Sequence, residues 1–302
     1  MTTLTFDLPG LRIGTADCDG QTGVTVFHFP KSVKAAVDVR GGAPGTYNVD
    51  YLRMGYDRPC LDAICIAGGT WYGRAAAPGV ARALADDGLA GIEKHRLANV
   101  AGAIIYDYGT RRSTTTAPDA DTGAEALRRA VEGRFACGAH GAGVMARQGS
   151  FWGYELPSGQ GGGLRRCGDV IVAAFVVANS LGLIVDRDGR CISAAHLPPG
   201  QATIAAQAAR LPLDRTTQTL NPANTTISVI VTNAILPLSA LQRLAVQTHS
   251  SMGRAIQPFA CPFDGDTLFA TSTGAVPLEG LDEAELGWMA GEAMWDALLS
   301  VV

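Results

Sequence analysis

The stretch N-P-A-N-T-T-I-S-V-I-V-T-N-A, residues 221–234, changes character in its middle. Asn221 to Asn224 read as a proline-containing polar turn, whereas Thr226 to Val231 read as a short β-branched strand buried on both faces. Thr225 and Thr226 sit on the seam. Asn224-Thr225-Thr226 has the form of a glycosylation sequon, threonine is favoured in strands, and a threonine hydroxyl can cap a turn; none of these readings needs chemistry. A fourth one does: Thr225 as a nucleophile freed at a new N-terminus by self-cleavage after Asn224.

A threonine hydroxyl is a weak nucleophile, and none of the five histidines stands in a recognisable triad motif. Cleavage before Thr225 exposes an α-amine that titrates near pH ~7.7–8.0 in model compounds, so base and nucleophile arrive on one residue. A strained turn entering a rigid strand also presses the hydroxyl onto the Asn224 carbonyl for an N-to-O acyl shift.

Such a site needs carboxylates and an oxyanion donor. F-D-G-D-T, residues 263–267, places Asp264 and Asp266 on one face if the segment is extended. Paired carboxylates can hold the amine or hydroxyl of Thr225 and, with one pKa raised by its neighbour, pass a proton to a leaving amine. The alternative is a solvated turn or a weak cation site. Asn179, in the otherwise apolar V-V-A-N-S-L-G, is either a strand-end cap or an oxyanion donor.

Composition narrows the partners. The chain has 302 residues, 47% hydrophobic and 17% charged, with 37 glycines, so tight small-residue packing and many turns are expected. A net charge of -4 with no aromatic-interleaved basic stripe argues against nucleic acid and anionic membrane. The N-terminus lacks a signal pattern, and the apolar run from Val170 to Val185 is broken by Asn179, Ser180 and Gly182, which reads as two strands and a turn rather than a membrane span. Seven cysteines without a C-x-x-C pair fit reduced thiols in a cytoplasmic protein, and no residue set calls for a metal or other cofactor.

Along the chain, strands are expected over 23–28, 35–39, 63–67, 104–108, 170–177, 183–185, 226–232 and 268–271. Helices are expected over 78–87 and 124–131, after Ser239 with a capping box to Gln242, and after Asp282 with a capping box to Glu285. Residues 211–224 read as a polar loop with Pro212 and Pro222. G-Q-G-G-G at 159–163 could cradle an anion but lacks the ending of a phosphate loop. Trp288 and Trp295, seven apart on the last helix, share a face and present either core or association surface. The mixed order of elements suggests one layered α/β or α+β domain.

Several of these segments match a known family in order. N-T-T-I-S-V-I-V-T-N (224–233), H-S-S-M-G-R-A-I-Q-P-F (249–259) and F-D-G-D-T-L-F-A (263–270) closely resemble the nylon-oligomer-hydrolysing branch of the DmpA-type L-aminopeptidase/D-esterase and β-aminopeptidase family. V-D-V-R-G-G (37–42), I-C-I-A-G-G (64–69), I-I-Y-D-Y (104–108), G-A-G (141–143) and G-Q-G-G-G-L-R-R-C-G-D-V (159–170) extend the likeness over nearly the whole chain. The resemblance implies a four-layer α-β-β-α sandwich of the self-cleaved N-terminal-nucleophile type. It implies cleavage into a large subunit, 1–224, and a small subunit, 225–302, that remain one folded domain.

Carried over by position, Thr225 is the nucleophile, Asp264 and Asp266 the assisting carboxylates, Asn179 the oxyanion or substrate amide, and Tyr106 a hydrogen-bonding partner. The implied activity is hydrolysis of linear amides such as 6-aminohexanoate oligomers at internal bonds, by an oligomer of processed heterodimers, as a tetramer. Aminopeptidase, D-amide esterase or acyltransferase action on the same threonine are the alternatives. One departure stands out: the branch carries a lysine shortly after G-A-G, where this chain has Ser150, which leaves any tuning of the nucleophile to another group such as Arg147.

Overall fold

The computed structural model describes residues 2–53, 59–88, 97–108, 113–212 and 224–302; most of the expected loop at 211–224 thus lies outside the described residues. Eight strands carry the architecture: β1 (Arg12–Cys18), β2 (Thr22–Val39), β3 (Cys60–Ala67), β4 (Val100–Ile104), β5 (Gln160–Cys167), β6 (Val170–Asn179), β7 (Thr225–Ala234) and β8 (Thr267–Val276). Four helices cover them: α1 (Ala76–Asp86), α2 (Ala120–Arg128), α3 (Leu238–Ser251) and α4 (Glu283–Leu299).

The strands join in one hydrogen-bonded ladder, β5-β6-β7-β8-β2-β3-β4, with β1 beside β2. The ladder folds into two layers because β2 belongs to both. Its first half, Val24 to His28, pairs with Ala67 to Ala63 of β3, and its second half, Lys34 to Val39, pairs with Ser272 to Thr267 of β8. The register breaks between His28 and Val33, around Pro30, whose missing N–H cannot serve a central ladder. The two strands expected at 23–28 and 35–39 are therefore one bent strand.

Strand alternation assigns each face. Ile171, Ala173, Phe175 and Val177 of β6, Ile227, Val229 and Val231 of β7, and Phe27, Ile64 and Ile66 of the opposite layer meet in a central core, where Phe6, Phe27, Phe135 and Phe175 pack with ring centroids 5.0–6.2 Å apart. The other faces of β6, β7 and β8 meet Leu241, Leu244, Leu286 and Met294 of α3 and α4. The outer face of β2 and β3 meets Val80, Leu84 and Leu127 of α1 and α2. The result is an α-β-β-α sandwich, and β6 and β7 are buried at every residue because both of their faces are covered.

Some local expectations change. Ser239 forms no capping box: Pro237 occupies the N-cap of α3 without a side-chain cap, and Ser239 falls inside the first turn, whereas Asp282 and Glu285 do cap α4 reciprocally. The strand expected over 104–108 ends at Ile104. The glycines of β5 cradle no anion; they let α4 lie on the sheet. A Cβ at Gly161 would stand 2.0 Å from the Ala297 carbonyl oxygen, and one at Gly163 would stand 2.2 Å from that of Ala293. Trp288 is exposed and Trp295 is half-buried, its Nε1 donating to the Val185 carbonyl at 2.9 Å, while the Arg254 guanidinium lies over both rings.

The backbone of α4 packed on β5 cannot readily yield to an added methyl, so Gly163→Ala should lower stability by about 1–3 kcal/mol. Gly253→Ala, where an added Cβ meets nothing within 4 Å, should stay within about 0.5 kcal/mol of the parent in the same thermal melts.

Candidate active site

The seam at Asn224-Thr225 lies at the end of the central core. Thr225 has the parity of Ile227 and Val229 and so faces the space between the two layers. Asn179 has the parity of Val177 and Phe175 and is the register partner of Thr225 across the β6–β7 ladder. Two antiparallel strands thus deliver a hydroxyl and an amide side by side, on one face.

The Thr225 hydroxyl donates to the Asn224 carbonyl oxygen at 2.5 Å, and the Gly265 N–H reaches the same oxygen at 3.2 Å. Asn224 bridges Asp264 in parallel, which brings the F-D-G-D turn against the seam. A Cβ at Gly265 would meet the Thr225 Oγ at 2.7 Å, so only glycine fits between the two acids without displacing that hydroxyl. Neither the role of Gly265 nor that of its N–H leaves a mark in the sequence beyond the glycine itself.

Asp264 and Asp266 are both fully buried, which removes the solvated-turn reading. Asp266 accepts from the Thr226 N–H and the Ala260 N–H, each at 2.9 Å, and Asp264 accepts from the Gly265 N–H at 3.2 Å. Burial pushes the Asp264 carboxyl well above the usual carboxylate range, and the neighbouring Asp266 adds to it. Burial also raises Asp266, against the opposing pull of His249 and of the two N–H donors. The buried pair as a whole is thus pushed toward holding a proton. The second oxygen of Asp264 has no hydrogen-bond partner among the described residues.

Asn179 is held from both sides. Its Oδ1 accepts from the Arg147 N–H at 3.1 Å, and its Nδ2 donates to the Tyr106 carbonyl at 3.0 Å. Tyr106 thus enters the site through its backbone rather than its phenol. Its position is fixed by the next residue: buried Asp107 accepts from Thr22 at 2.7 Å and from the Gly69 N–H at 2.8 Å. Arg147 also contributes backbone, since its guanidinium turns to the Ala146 carbonyl, and Ser150 opens a short 3-10 turn with its hydroxyl buried. Asp107 and Gly265 are the site residues that sequence reading missed. I-I-Y-D-Y carried the signal for the first, a carboxylate closing an apolar run.

Chemically, the arrangement offers a hydroxyl against a carbonyl, two buried carboxyls that are both pushed toward the protonated form, and an amide fixed opposite the hydroxyl. Among the described residues no group of three His, Cys, Asp or Glu side chains is placed to hold a metal ion. No described helix is long and apolar enough to cross a membrane.

Comparison with known proteins adds the family. The model of peptidase family S58 matches residues 4–301. A 6-aminohexanoate-oligomer endohydrolase of Kocuria sp. (strain KY2) is 40% identical over 98% of this chain and 85% of its own. An uncharacterised aminopeptidase of Mycobacterium bovis is 35% identical over 89% of this chain and 81% of its own. Among solved structures, the L-aminopeptidase D-Ala-esterase/amidase from Ochrobactrum anthropi, described as a variant of the Ntn hydrolase fold, superposes with a TM-score of 0.73 at 17% identity, over 99% of this chain and 85% of the other.

The upward shift of the Asp264 carboxyl has a consequence for stability. A carboxyl whose folded pKa is raised stabilises the fold fully below its unfolded value, near pH ~4, and loses that contribution as pH rises through the folded value. Asp264→Asn mimics the protonated form at every pH. With Thr225→Ala in both proteins, the melting temperature of Asp264→Asn relative to Asp264 should therefore climb as pH rises above about 4. A difference that is flat or that shrinks with pH would remove the upward shift of Asp264.

Proposed function

The chain belongs to peptidase family S58, and from that premise we propose that it is a self-processing amide hydrolase whose nucleophile is Thr225. The observation that carries the reading is the hydroxyl of Thr225 on the Asn224 carbonyl, with Asn179 directly opposite and the acid pair alongside. In the first step Thr225 Oγ attacks the Asn224 carbonyl carbon. The bond to nitrogen breaks, and the hydroxyl proton passes through the Asp264/Asp266 pair to the Thr225 nitrogen. The Gly265 N–H holds the oxyanion formed on Asn224. Water then cleaves the ester, leaving an Asn224 carboxylate and a free Thr225 amine.

That amine becomes the base for external substrates. It takes the Oγ proton as the hydroxyl attacks a substrate amide, and the Asn179 amide stands beside the forming oxyanion. The leaving amine receives a proton from Asp264, the acyl group rests on Thr225 as an ester, and water releases it. The products are a carboxylic acid and an amine, and the enzyme returns unchanged. Tyr106 acts here by fixing Asn179 through its carbonyl.

By its likeness to the Kocuria endohydrolase, the substrate class is linear amides of the 6-aminohexanoate-oligomer kind, cut internally. The mycobacterial relative keeps one alternative open, removal of single terminal units. We further propose assembly of processed heterodimers into a tetramer through the outer face of α4, where Trp288 is 62% exposed.

Purified protein should run as two fragments, 1–224 and 225–302, the smaller beginning Thr-Thr-Ile-Ser, and Thr225→Ala should stay whole and inactive. Whole chain with full activity would sink the proposal. Asp264→Asn or Asp266→Asn should cut turnover by a factor on the order of 10² to 10⁴ in processed protein. Product-length analysis on a 6-aminohexanoate oligomer separates the two substrate readings: internal fragments support the endohydrolase, and single terminal units alone replace it with an aminopeptidase. Light scattering should give a tetrameric mass, and a monomeric one removes the assembly.

A further inference from the structure

Asn179 ends β6 in one layer of the sandwich, and the Tyr106 carbonyl that holds its amide follows β4 in the other. The bond between them crosses the space that Thr225 faces, so the placing of the amide depends on the loop that carries Tyr106. β4 ends at Ile104, and strand pairing does not reach Tyr106 or Asp107.

The exit of β3 holds them instead. Ile105 donates to the Ala67 carbonyl at 2.9 Å and accepts from the Thr70 N–H at 3.2 Å. On the far side of Tyr106, one oxygen of Asp107 accepts from the Gly69 N–H at 2.8 Å and the other from the Thr22 hydroxyl at 2.7 Å. Tyr106 is thus gripped on both sides by one turn, residues 67–70. That turn is built at a cost. Thr70 is β-branched yet has a φ of 59°, and its buried hydroxyl has no hydrogen-bond partner among the described residues. Strain of this kind persists only where the surroundings over-determine it. A Cβ at Gly68 would stand 2.2 Å from the Thr22 Oγ and 2.4 Å from Asp107 Oδ2, so the turn presses its backbone against the pair.

We propose that Asp107 is a positioning residue for amide hydrolysis: clasped by Thr22 and Gly69, it holds the Tyr106 carbonyl where Asn179 needs it and so sets that amide beside Thr225. The proposal rests on the reading of Thr225 as the nucleophile and of Asn179 as the group beside the substrate oxyanion. Capping alone would account for the bond to Gly69, which precedes the 3-10 turn Thr70–Ala75 leading into α1. It does not account for the second oxygen on Thr22, at the start of β2, or for the Thr70 N–H on Ile105. The amide can transmit the placing because it cannot flip. Its Oδ1 takes an N–H from Arg147, a donor, and its Nδ2 gives one to the Tyr106 carbonyl, an acceptor, so turning it over loses both bonds.

The two reactions respond differently, which gives the test. In self-cleavage the Gly265 N–H holds the oxyanion, whereas an external amide depends on Asn179. Self-cleavage is read from gels after refolding, and kcat and KM for a 6-aminohexanoate oligomer are measured on processed protein, for the parent, Asp107→Ala, Asp107→Asn and Thr22→Val. Asp107→Ala should lower kcat about tenfold or more, with KM within about twofold and self-cleavage within about threefold of the parent. Asparagine keeps an acceptor for Gly69 and offers an N–H to the Thr22 hydroxyl, so Asp107→Asn should recover most of the turnover. Thr22→Val should fall between the two. On an Asn179→Ala background the loss from Asp107→Ala should vanish, because its path runs through that amide. An unchanged kcat, two reactions that slow together, an Asp107→Asn as slow as Asp107→Ala, or a loss that persists without Asn179 overturns the proposal. If Asp107→Ala does not fold, Thr22→Val is judged by the same ratios, and an unchanged kcat there overturns it equally. A parent that never cleaves defeats the Thr225 reading itself and this proposal with it, an outcome visible in the parent alone.

Discussion

The opposition of Asn179 and Thr225 across the β6–β7 ladder is the constraint on which the site depends. Side chains along a strand alternate with a period of two, so a slip of one residue in that register would turn Thr225 away from the space between the layers. The register is held because both strands are buried on both faces. Ile171 to Val177 and Ile227 to Val231 belong to the central core at alternate positions, and the intervening residues belong to the core beneath α3 and α4. Every apolar residue of the two strands therefore votes for the same alignment, and the polar pair at their end inherits it. The Thr225 hydroxyl is thus positioned by packing that has no chemistry of its own.

The acid pair runs against the same packing. Burying two neighbouring carboxyls disfavours their ionisation, and the fold answers by aiming backbone N–H groups from Thr226, Ala260 and Gly265 at the oxygens. These donors come from three separate segments, so the pair ties the nucleophile strand to the turn that precedes β8 and to the loop before it. The burial that raises the Asp264 carboxyl is also the burial that weakens the fold as pH rises.

The sequence made legible whatever was a side chain out of keeping with its surroundings. Thr225, Asp264, Asp266 and Asn179 stand out because a polar residue interrupts or closes an apolar run, and the structure gathers them at one end of the core. The layer order was legible from the family resemblance, and the capped last helix from Asp282 and Glu285. What escaped has two physical causes. Backbone groups carry no residue signature, so the Gly265 N–H, the Arg147 N–H and the carbonyl by which Tyr106 acts could not be read. Contacts between distant positions escaped as well: His249 meets Asp38 across more than two thirds of the chain, and neither looks unusual where it stands. The two strands expected at 23–28 and 35–39 are one because the strand bends between His28 and Val33 and changes partners there, a contact pattern no local stretch displays. The capping box at Ser239 failed because Pro237 already sets the start of α3.

On the proposed reading, one set of groups serves two reactions, and the geometry explains why that is possible. In the whole chain the carbonyl of Asn224 occupies the place where a substrate carbonyl must later lie: against the Thr225 hydroxyl, within reach of the Gly265 N–H, and next to Asn179. The first amide the site meets is its own. Cleavage frees that place and at the same stroke creates the amine that any later substrate needs as base. A chain that fails the first reaction lacks the means for the second, so the precise fit of Thr225 between Gly265 and Asn179 is tested in every molecule before it ever meets a substrate. Selection for self-cleavage and selection for turnover then act on the same few atoms, and a small residue at 265, an amide at 179 and two acids around the glycine satisfy both at once.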